Sequence, residues 1–323
     1  MGRQEHFPPP AERLKEVTDK LEAGIKNLFE SERYAAYLQA MSKFHRYSYG
    51  NIILILSQYP SASQVAGFRS WKKFGRSVKK GERGIQILAP CPYTKWERQD
   101  KTDPTTQLPV LDGSGQTVQE MVAVKKQGYK VEYVFDVTQT EGREMPSIHS
   151  ELSGDVKQYD AICAALRDTS PVPIGFGPLP PGVYGSYSHL ERRITIRPEM
   201  SQMQTLKTMI HEVAHSKLHA LPVENDILIE RPKKIRAIRE LEAESVAYVV
   251  CQHFGIDTSD YSFGYVAGWS RGQELAELKA SLDVIHSTAG EIINAIQPPP
   301  PELERKAPEQ LPQHRKSKKS MRK

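Results

Sequence analysis

His211-Glu212-Val213-Ala214-His215 places two imidazoles and a carboxylate within five residues, at the spacing H-E-x-x-H. On an α-helix, with about 3.6 residues per turn, His211 and His215 fall one turn apart on one face and can share a metal ion. Glu212 then lies beside them. These residue types suit a catalytic zinc site, which takes three protein ligands and leaves a position for water whose pKa falls towards ~7. A carboxylate next to that water can take its proton and pass it to a leaving amine. The chemistry expected of the motif is zinc-dependent peptide hydrolysis, with His211 and His215 as metal ligands and Glu212 as general base.

The motif has chance occurrences, so its flanks matter. Ser201-Gln202-Met203-Gln204 reads as a capping box, and Leu206, Met209, Ile210, Val213, Ala214 and Leu218 recur at helical spacing. The histidines therefore belong to a core helix. A third ligand is sought in the next helical stretch, Arg239 to Tyr248, where Glu240, Glu242 and Glu244 compete. Glu240 and Glu244 share a face, whereas Glu242 is turned roughly 200° from Glu240. Glu240 is accordingly expected on the metal and Glu244 behind a ligand histidine, fixing its tautomer, or as the alternative ligand. The competing reading is a solvated face on which Glu240 pairs with Arg236.

His219 follows His215 by four residues but continues along the same helix ~6 Å further on, without the glycine turn that swings a third histidine onto a metal. It reads as a satisfied histidine near a helix C-terminus. Upstream, Tyr184 to Ser188 and Arg192 to Arg197 alternate as a hairpin turning at His189-Leu190-Glu191. An edge strand beside the metal could hold an extended peptide by backbone hydrogen bonds. Tyr187, His189 and Tyr248 are candidates for oxyanion stabilisation, with core packing the alternative for each.

The elements that would position this chemistry occupy only the second half of a 323-residue chain, long enough for two cores. Between Met41 and Arg98 eleven lysines and arginines face only Glu82 and Glu97. Aromatic rings are interleaved with them. Cations meet phosphates and rings stack on bases, so this half is expected to bind single-stranded DNA with weak sequence preference. The residues expected to do so are Lys43, Arg46, Tyr49, Asn51, Phe68, Arg69, Trp71, Lys72, Lys73, Arg76, Lys79, Lys80 and Arg83. For any single ring, core packing is the competing role.

The organisation expected is α+β in two domains: a mixed α/β domain for single-stranded DNA over 11–142, then a zincin-like metallopeptidase domain over 155–296 carrying the H-E-x-x-H helix. A linker over 143–154 joins them, and composition marks 1–10 and the basic tail 297–323 as disordered. In the first half Ala11 to Phe29 and Arg33 to Lys43 read as amphipathic helices, Ile52 to Leu56 as a buried strand or helix, Ile85 to Leu88 and Tyr129 to Val137 as strands, and Asp100 to Gln119 as a loop. The longest apolar run is too short to cross a membrane, the N-terminus is not signal-like, and Cys91, Cys163 and Cys251 lack metal or disulfide spacing. The location expected is cytoplasmic, with no membrane partner.

Taken together, the chain from about Ala11 to Leu275 resembles the ArdC-type antirestriction and LtrC-like proteins of conjugative plasmids and integrative elements. The resemblance rests on Tyr49-Gly50-Asn51, Val65-Ala66-Gly67-Phe68, Trp71, Lys79 to Ile85 and Val134 to Thr140, and later on His211-Glu212-x-x-His215 with Glu240-x-x-Ala243-Glu244. It implies single-stranded DNA as partner of the first domain. It also implies an ImmA/IrrE-like zinc metallopeptidase site in the second, with Zn2+ on His211, His215 and Glu240, Glu212 as base, and a protein or peptide substrate. Two alternatives stand beside it: a regulatory metalloprotease that cleaves a repressor, and a binding protein whose zinc is structural.

Overall fold

The computed structural model describes residues 10–29, 31–144, 156–221, 223–224, 227–228, 236–256, 258, 263 and 274–298. Most of the expected linker, most of the basic tail and the extreme N-terminus lie outside them. The fold is α+β. Helices α1 (Pro10–Leu28), α2 (Ser31–Phe44) and α3 (Tyr49–Gln58) open the chain. The ambiguous apolar run resolves as helix. Ser48 caps α3 by accepting from the Asn51 N–H, and Ile52, Ile53, Leu54 and Ile55 are all buried, so no amphipathic period was left for the sequence to display.

The first sheet sets β1 (Val65–Gly67), β6 (Tyr129–Asp136) and β3 (Ile85–Pro90) side by side, in that order and antiparallel. Beyond β3 and β6 the chain continues as a separate two-stranded ribbon, β4 (Tyr93–Asp100) against β5 (Gln119–Lys126), whose turn is the expected polar loop. The outer edge of β3 is closed by side chains. Asn51 Nδ2 donates to Leu88 O and Asn51 Oδ1 accepts from Leu88 N, both at 2.9 Å, and Gln58 makes the same pair of contacts with Gln86. Two carboxamides on α3 thus satisfy a strand edge that would otherwise be open.

At the end of β6 the buried Asp136 accepts from the N–H groups of Ser63, Gln64 and Thr138, while Gln139 completes a capping box. Gln139 Nε2 also donates to Glu82 Oε2 and Arg83 O. Short strands β2 (Arg76–Val78) and β7 (Thr140–Gly142) pair beside this knot, and α4 (Phe68–Lys73) bridges β1 to β2.

The second half begins with α5 (Val156–Thr169) and a sheet of order β8 (Ile174–Phe176), β10 (Arg193–Ile196), β9 (Gly185–Ser188). The expected hairpin is β9 with β10, and β9 is an edge strand. Helices α6 (Gln202–Leu218), α7 (Arg236–His253) and α8 (Leu275–Ile296) follow, with the minimal pair β11 (Val223–Glu224) and β12 (Ile227–Leu228) between α6 and α7. Ser201 caps α6 by accepting from Gln204 N, but the Gln204 side chain turns forward to Thr208 Oγ1. Among the described residues no helix is long and apolar enough to cross a membrane.

Packing is continuous across the division read from composition. One hydrophobic cluster runs from Ile25, Tyr34 and Met41 through Ile194 and Val213 to Val246 and Ile285. The buried Tyr34 hydroxyl on α2 is 2.8 Å from Ser245 Oγ on α7, His253 Nδ1 donates to Ser42 O, and His286 Nε2 donates to His45 O. These contacts join α2 and the turn after it to α7 and α8. Burial, then the neighbouring His253, Arg46 and His286, lowers the His45 imidazole to about 4, and burial lowers that of His286 as well.

A histidine whose folded pKa lies below its unfolded ~6.5 is kept neutral by folding, so the unfolded chain binds the extra proton and stability falls with pH through that window. The metal-free protein should therefore lose thermal stability progressively as pH drops from about 6.5 towards 4, these two histidines acting together with the similarly lowered His189 and His211. His45→Gln should flatten the loss. A melting midpoint constant between pH 7 and 5 in the parent protein would contradict this account.

Candidate functional site

Helix α6 brings His211 and His215 to one face, with their Nε2 atoms 3.0 Å apart. Glu240, in the first turns of α7, reaches the same point: its Oε2 is 3.5 Å from His215 Nε2 and 3.8 Å from His211 Nε2. Among the described residues these three form a group able to hold a metal ion. The fit can be tested by geometry. Ligands at ~2.0–2.1 Å from a tetrahedral ion stand about 3.3 Å from one another, which the three separations bracket. Burial, then the adjacent His215, lowers His211 to about 4, leaving an unprotonated imidazole near neutrality, and the His215 hydrogen bond lowers the Glu240 carboxyl. Both groups are in the state a metal requires.

Glu212 is 8% exposed, and burial pushes its carboxyl up to about 7. It accepts the backbone N–H of Tyr187 on β9. Gly185 makes that approach possible, since a Cβ there would lie 2.5 Å from Thr208 Cγ2 and 2.9 Å from Glu212 Cγ. The edge strand thus lies directly against the carboxylate. A cavity of about 930 Å³ opens between β9, α6 and α7, lined by Tyr187, His189, Lys207, Arg236 and Arg239 as well as the metal group, Glu212 and Glu244.

Behind His215 lies a second array. His215 Nδ1 is 3.0 Å from His219 Nδ1, and His219 Nε2 is 3.0 Å from Glu242 Oε2. The Ser281 hydroxyl of α8 donates to Glu242 Oε1 at 2.7 Å. Glu242 and His219 are buried, whereas Glu244 lines the cavity. Sequence reasoning passed over Glu242 because its helical phase differs from that of Glu240. Yet α7 is enclosed on several faces, so a residue off the metal face meets another helix rather than water. The readable signal was His219 itself, the third histidine in a ladder spaced by four.

The nucleic-acid candidates separate into two sets. Phe68 is 46% exposed with Lys72 Nζ 5.1 Å from its ring centroid, and Arg69, Lys72, Lys73, Lys79, Lys80, Arg83 and Arg46 are also exposed. Trp71 is not available for stacking. It is 1% exposed, and its indole N–H donates to Phe135 O. Asn51 is spent on the β3 edge, and the Arg76 guanidinium donates to Thr140 Oγ1 and to the Thr140 and Gly142 carbonyls. Their expected DNA contacts are corrected to structural ones, because each polar group already has its partners within the fold. Lys43 and Tyr49 are half-buried, the latter packed on the core.

Two rings absent from the expected set are exposed where Trp71 is not. Tyr133 and Tyr129 are exposed and share one face of β6 with Phe135, whose ring meets Phe68 edge-on at 6.3 Å. Gly84 lies beneath them: a Cβ there would sit 2.9 Å from Tyr133 Cβ and 3.1 Å from Phe135 Cζ. The period-2 alternation from Tyr129 to Phe135 carried this signal.

Residues 11–137 match the family model described as the N-terminal domain of anti-restriction factor ArdC. The chain is 30% identical over 335 residues to the uncharacterized protein pXO2-81 of Bacillus anthracis, an alignment covering 94% of this chain and 55% of that protein. It is 28% identical over 232 residues to the DNA primase TraC of Escherichia coli, covering 69% of this chain and 15% of the primase. The chain therefore spans about half of the first relative and a small part of the second. Crystal structures of the antirestriction ArdC protein from the R388 plasmid, metal-free and Mn(II)-bound, align at 20% identity with TM-scores of 0.44 and 0.47. They cover 77% and 88% of this chain, and 83% and 96% of theirs.

Gly185→Ala should force β9 away from α6 and destabilise the protein by about 1–3 kcal/mol, the usual cost of overpacking. Gly175→Ala, where an added Cβ meets nothing within 4 Å, is the control. Equal melting midpoints for the two variants would show that the strand does not depend on the bare backbone at Gly185.

Proposed function

On the footing that the chain is an ArdC-type protein through residues 11–137, we propose that it is a zinc-dependent peptidase joined to a surface for single-stranded DNA, serving antirestriction or the protection of DNA carried between cells by mobile elements. The observation that carries the hydrolytic reading is Glu212, buried beside the metal group and held by the edge strand. Zinc suits two imidazoles and one carboxylate with an open fourth position, and when bound it would supply Lewis acidity to a carbonyl and acidity to water. The chain's own residues do the rest. Glu212 accepts a proton from the attacking water and delivers it to the leaving nitrogen, a task suited to a carboxyl near 7. Strand β9 offers backbone groups to an extended peptide lying in the cavity, in the manner of strand addition. The free cysteines Cys91, Cys163 and Cys251 accord with a reducing, cytoplasmic setting.

The reading for single-stranded DNA is supported by Phe68, Phe135, Tyr133 and Tyr129, with Arg69, Lys72, Lys73, Lys80 and Arg83 in the neighbouring segments. Rings available to bases and cations available to phosphates are what a splayed strand needs, and the relative named DNA primase gives a nucleic-acid context.

The purified protein should bind about one zinc per chain. Glu212→Gln should keep the metal and abolish peptide cleavage mapped by mass spectrometry. A Glu212→Gln protein that still cleaves would remove the proposed base.

For DNA, the full chain is the right reagent because its two halves share a core. Phe68→Ala and Tyr133→Ala should each weaken single-strand binding by about 1–3 kcal/mol, roughly 5- to 150-fold, with little change in salt slope. Loss of Lys72, Lys73 and Lys80 should flatten that slope by about 0.7 for each phosphate contact removed. Duplex bound as tightly as single strand would defeat the stacking model.

A further inference from the structure

We infer that His219, Glu242 and Ser281 are positioning residues that set the tautomer of His215 and so determine that its Nε2 faces the metal as a bare lone pair. The inference deepens the zinc reading above and rests on it. A neutral imidazole carries one N–H, and which nitrogen holds it is decided by what the other faces. For His215 the choice is settled at the far end of the array, two side chains away.

Glu242 is an ionised-type acceptor that already receives the Ser281 hydroxyl on Oε1. Its Oε2, 3.0 Å from His219 Nε2, needs a donor there, so the His219 proton belongs on Nε2. His219 Nδ1 is then bare, and the 3.0 Å contact to His215 Nδ1 requires the proton to be on His215. His215 Nε2 is left unprotonated, pointing towards His211 and Glu240. Reversing the direction would set a bare His219 nitrogen against a carboxylate oxygen. It would also aim a His215 N–H at the metal position. With both imidazoles neutral and Glu242 ionised, only one assignment satisfies all three contacts.

The array crosses three helices, from the C-terminal end of α6 through α7 to α8, and the His219 and Glu242 side chains are 2% and 0% exposed. Water does not compete with these hydrogen bonds, and a low-dielectric surrounding strengthens each of them. A carboxylate behind a ligand histidine also raises the ligand's basicity, and here the intervening imidazole relays that effect. The rival account is a buried polar staple that holds the helices together and leaves His215 indifferent.

The test uses the full chain with ¹⁵N-labelled histidine. In the metal-free protein at neutral pH, ring-nitrogen shifts should show the His215 proton on Nδ1 and the His219 proton on Nε2. Zinc affinity should then fall 10–100-fold in Glu242→Leu, with loss of the single His215 tautomer, and by a smaller factor in Glu242→Gln, which keeps the hydrogen bond without the charge. Ser281→Ala, a small change, should give a loss of a few fold and serves if Glu242→Leu does not fold. A mere staple would lower the melting point of these variants and leave zinc affinity and tautomer as they were. The inference is overturned if wild-type His215 carries its proton on Nε2, or if folded Glu242→Leu binds zinc within twofold of wild type. A wild-type protein that binds no zinc would instead retire the functional reading, while the tautomer measurement would still report on the array.

Discussion

Helix α7 has to satisfy three neighbours at once, and the rest of the molecule is arranged around that demand. Glu240 leaves it towards the histidines of α6, Glu242 towards His219 and Ser281, and Ser245 towards Tyr34. Between these polar exits Leu241, Ala243, Val246, Ala247, Val249 and Val250 are fully buried. A helix enclosed in this way cannot rotate by even part of a turn without breaking a buried hydrogen bond on another face. Unpaired polar groups in such a place cost about 1–3 kcal/mol each, more when charged. Precision at the metal group is thus a property of the whole helical layer, including α2 from the first half of the chain.

The same constraint explains which parts of the site could be read in advance. His211, Glu212 and His215 were legible because helical spacing alone sets their relative directions. Glu240 followed from sharing a turn-by-turn face with a partner four residues on. Phase says nothing about what lies opposite the metal face, so the array through His219 and Glu242 needed the tertiary packing of α8. Similarly, composition marked the first half as cationic and aromatic but could not distinguish a ring left exposed from a ring that fills a core. Trp71 and Phe68 stand three residues apart in one short helix, and burial separates them.

Polar residues proved the least readable class. Asn51 and Asp136 fall among the segments that carry the resemblance and Arg76 lies between two of them, and each is consumed by backbone groups: Asn51 on β3, Arg76 on the β7 carbonyls, Asp136 on the turn before β1. Their role is to complete hydrogen bonding where the sheet runs out of strands. Residues of this kind mark the architecture of the domain, while neighbours such as Phe68 and Tyr133 supply the rings exposed at its surface.

The closure of β3 by Asn51 and Gln58 also makes solubility depend on a helix. A strand edge paired to another strand stays covered as long as the sheet holds, but an edge covered by two amide side chains is uncovered whenever α3 moves away. Leu88 and Gln86 would then present unmet backbone donors and acceptors at alternate positions, the spacing at which a foreign strand registers. Local loosening of α3 would turn an intramolecular seal into a template for intermolecular growth, so self-association on partial unfolding should begin at this edge.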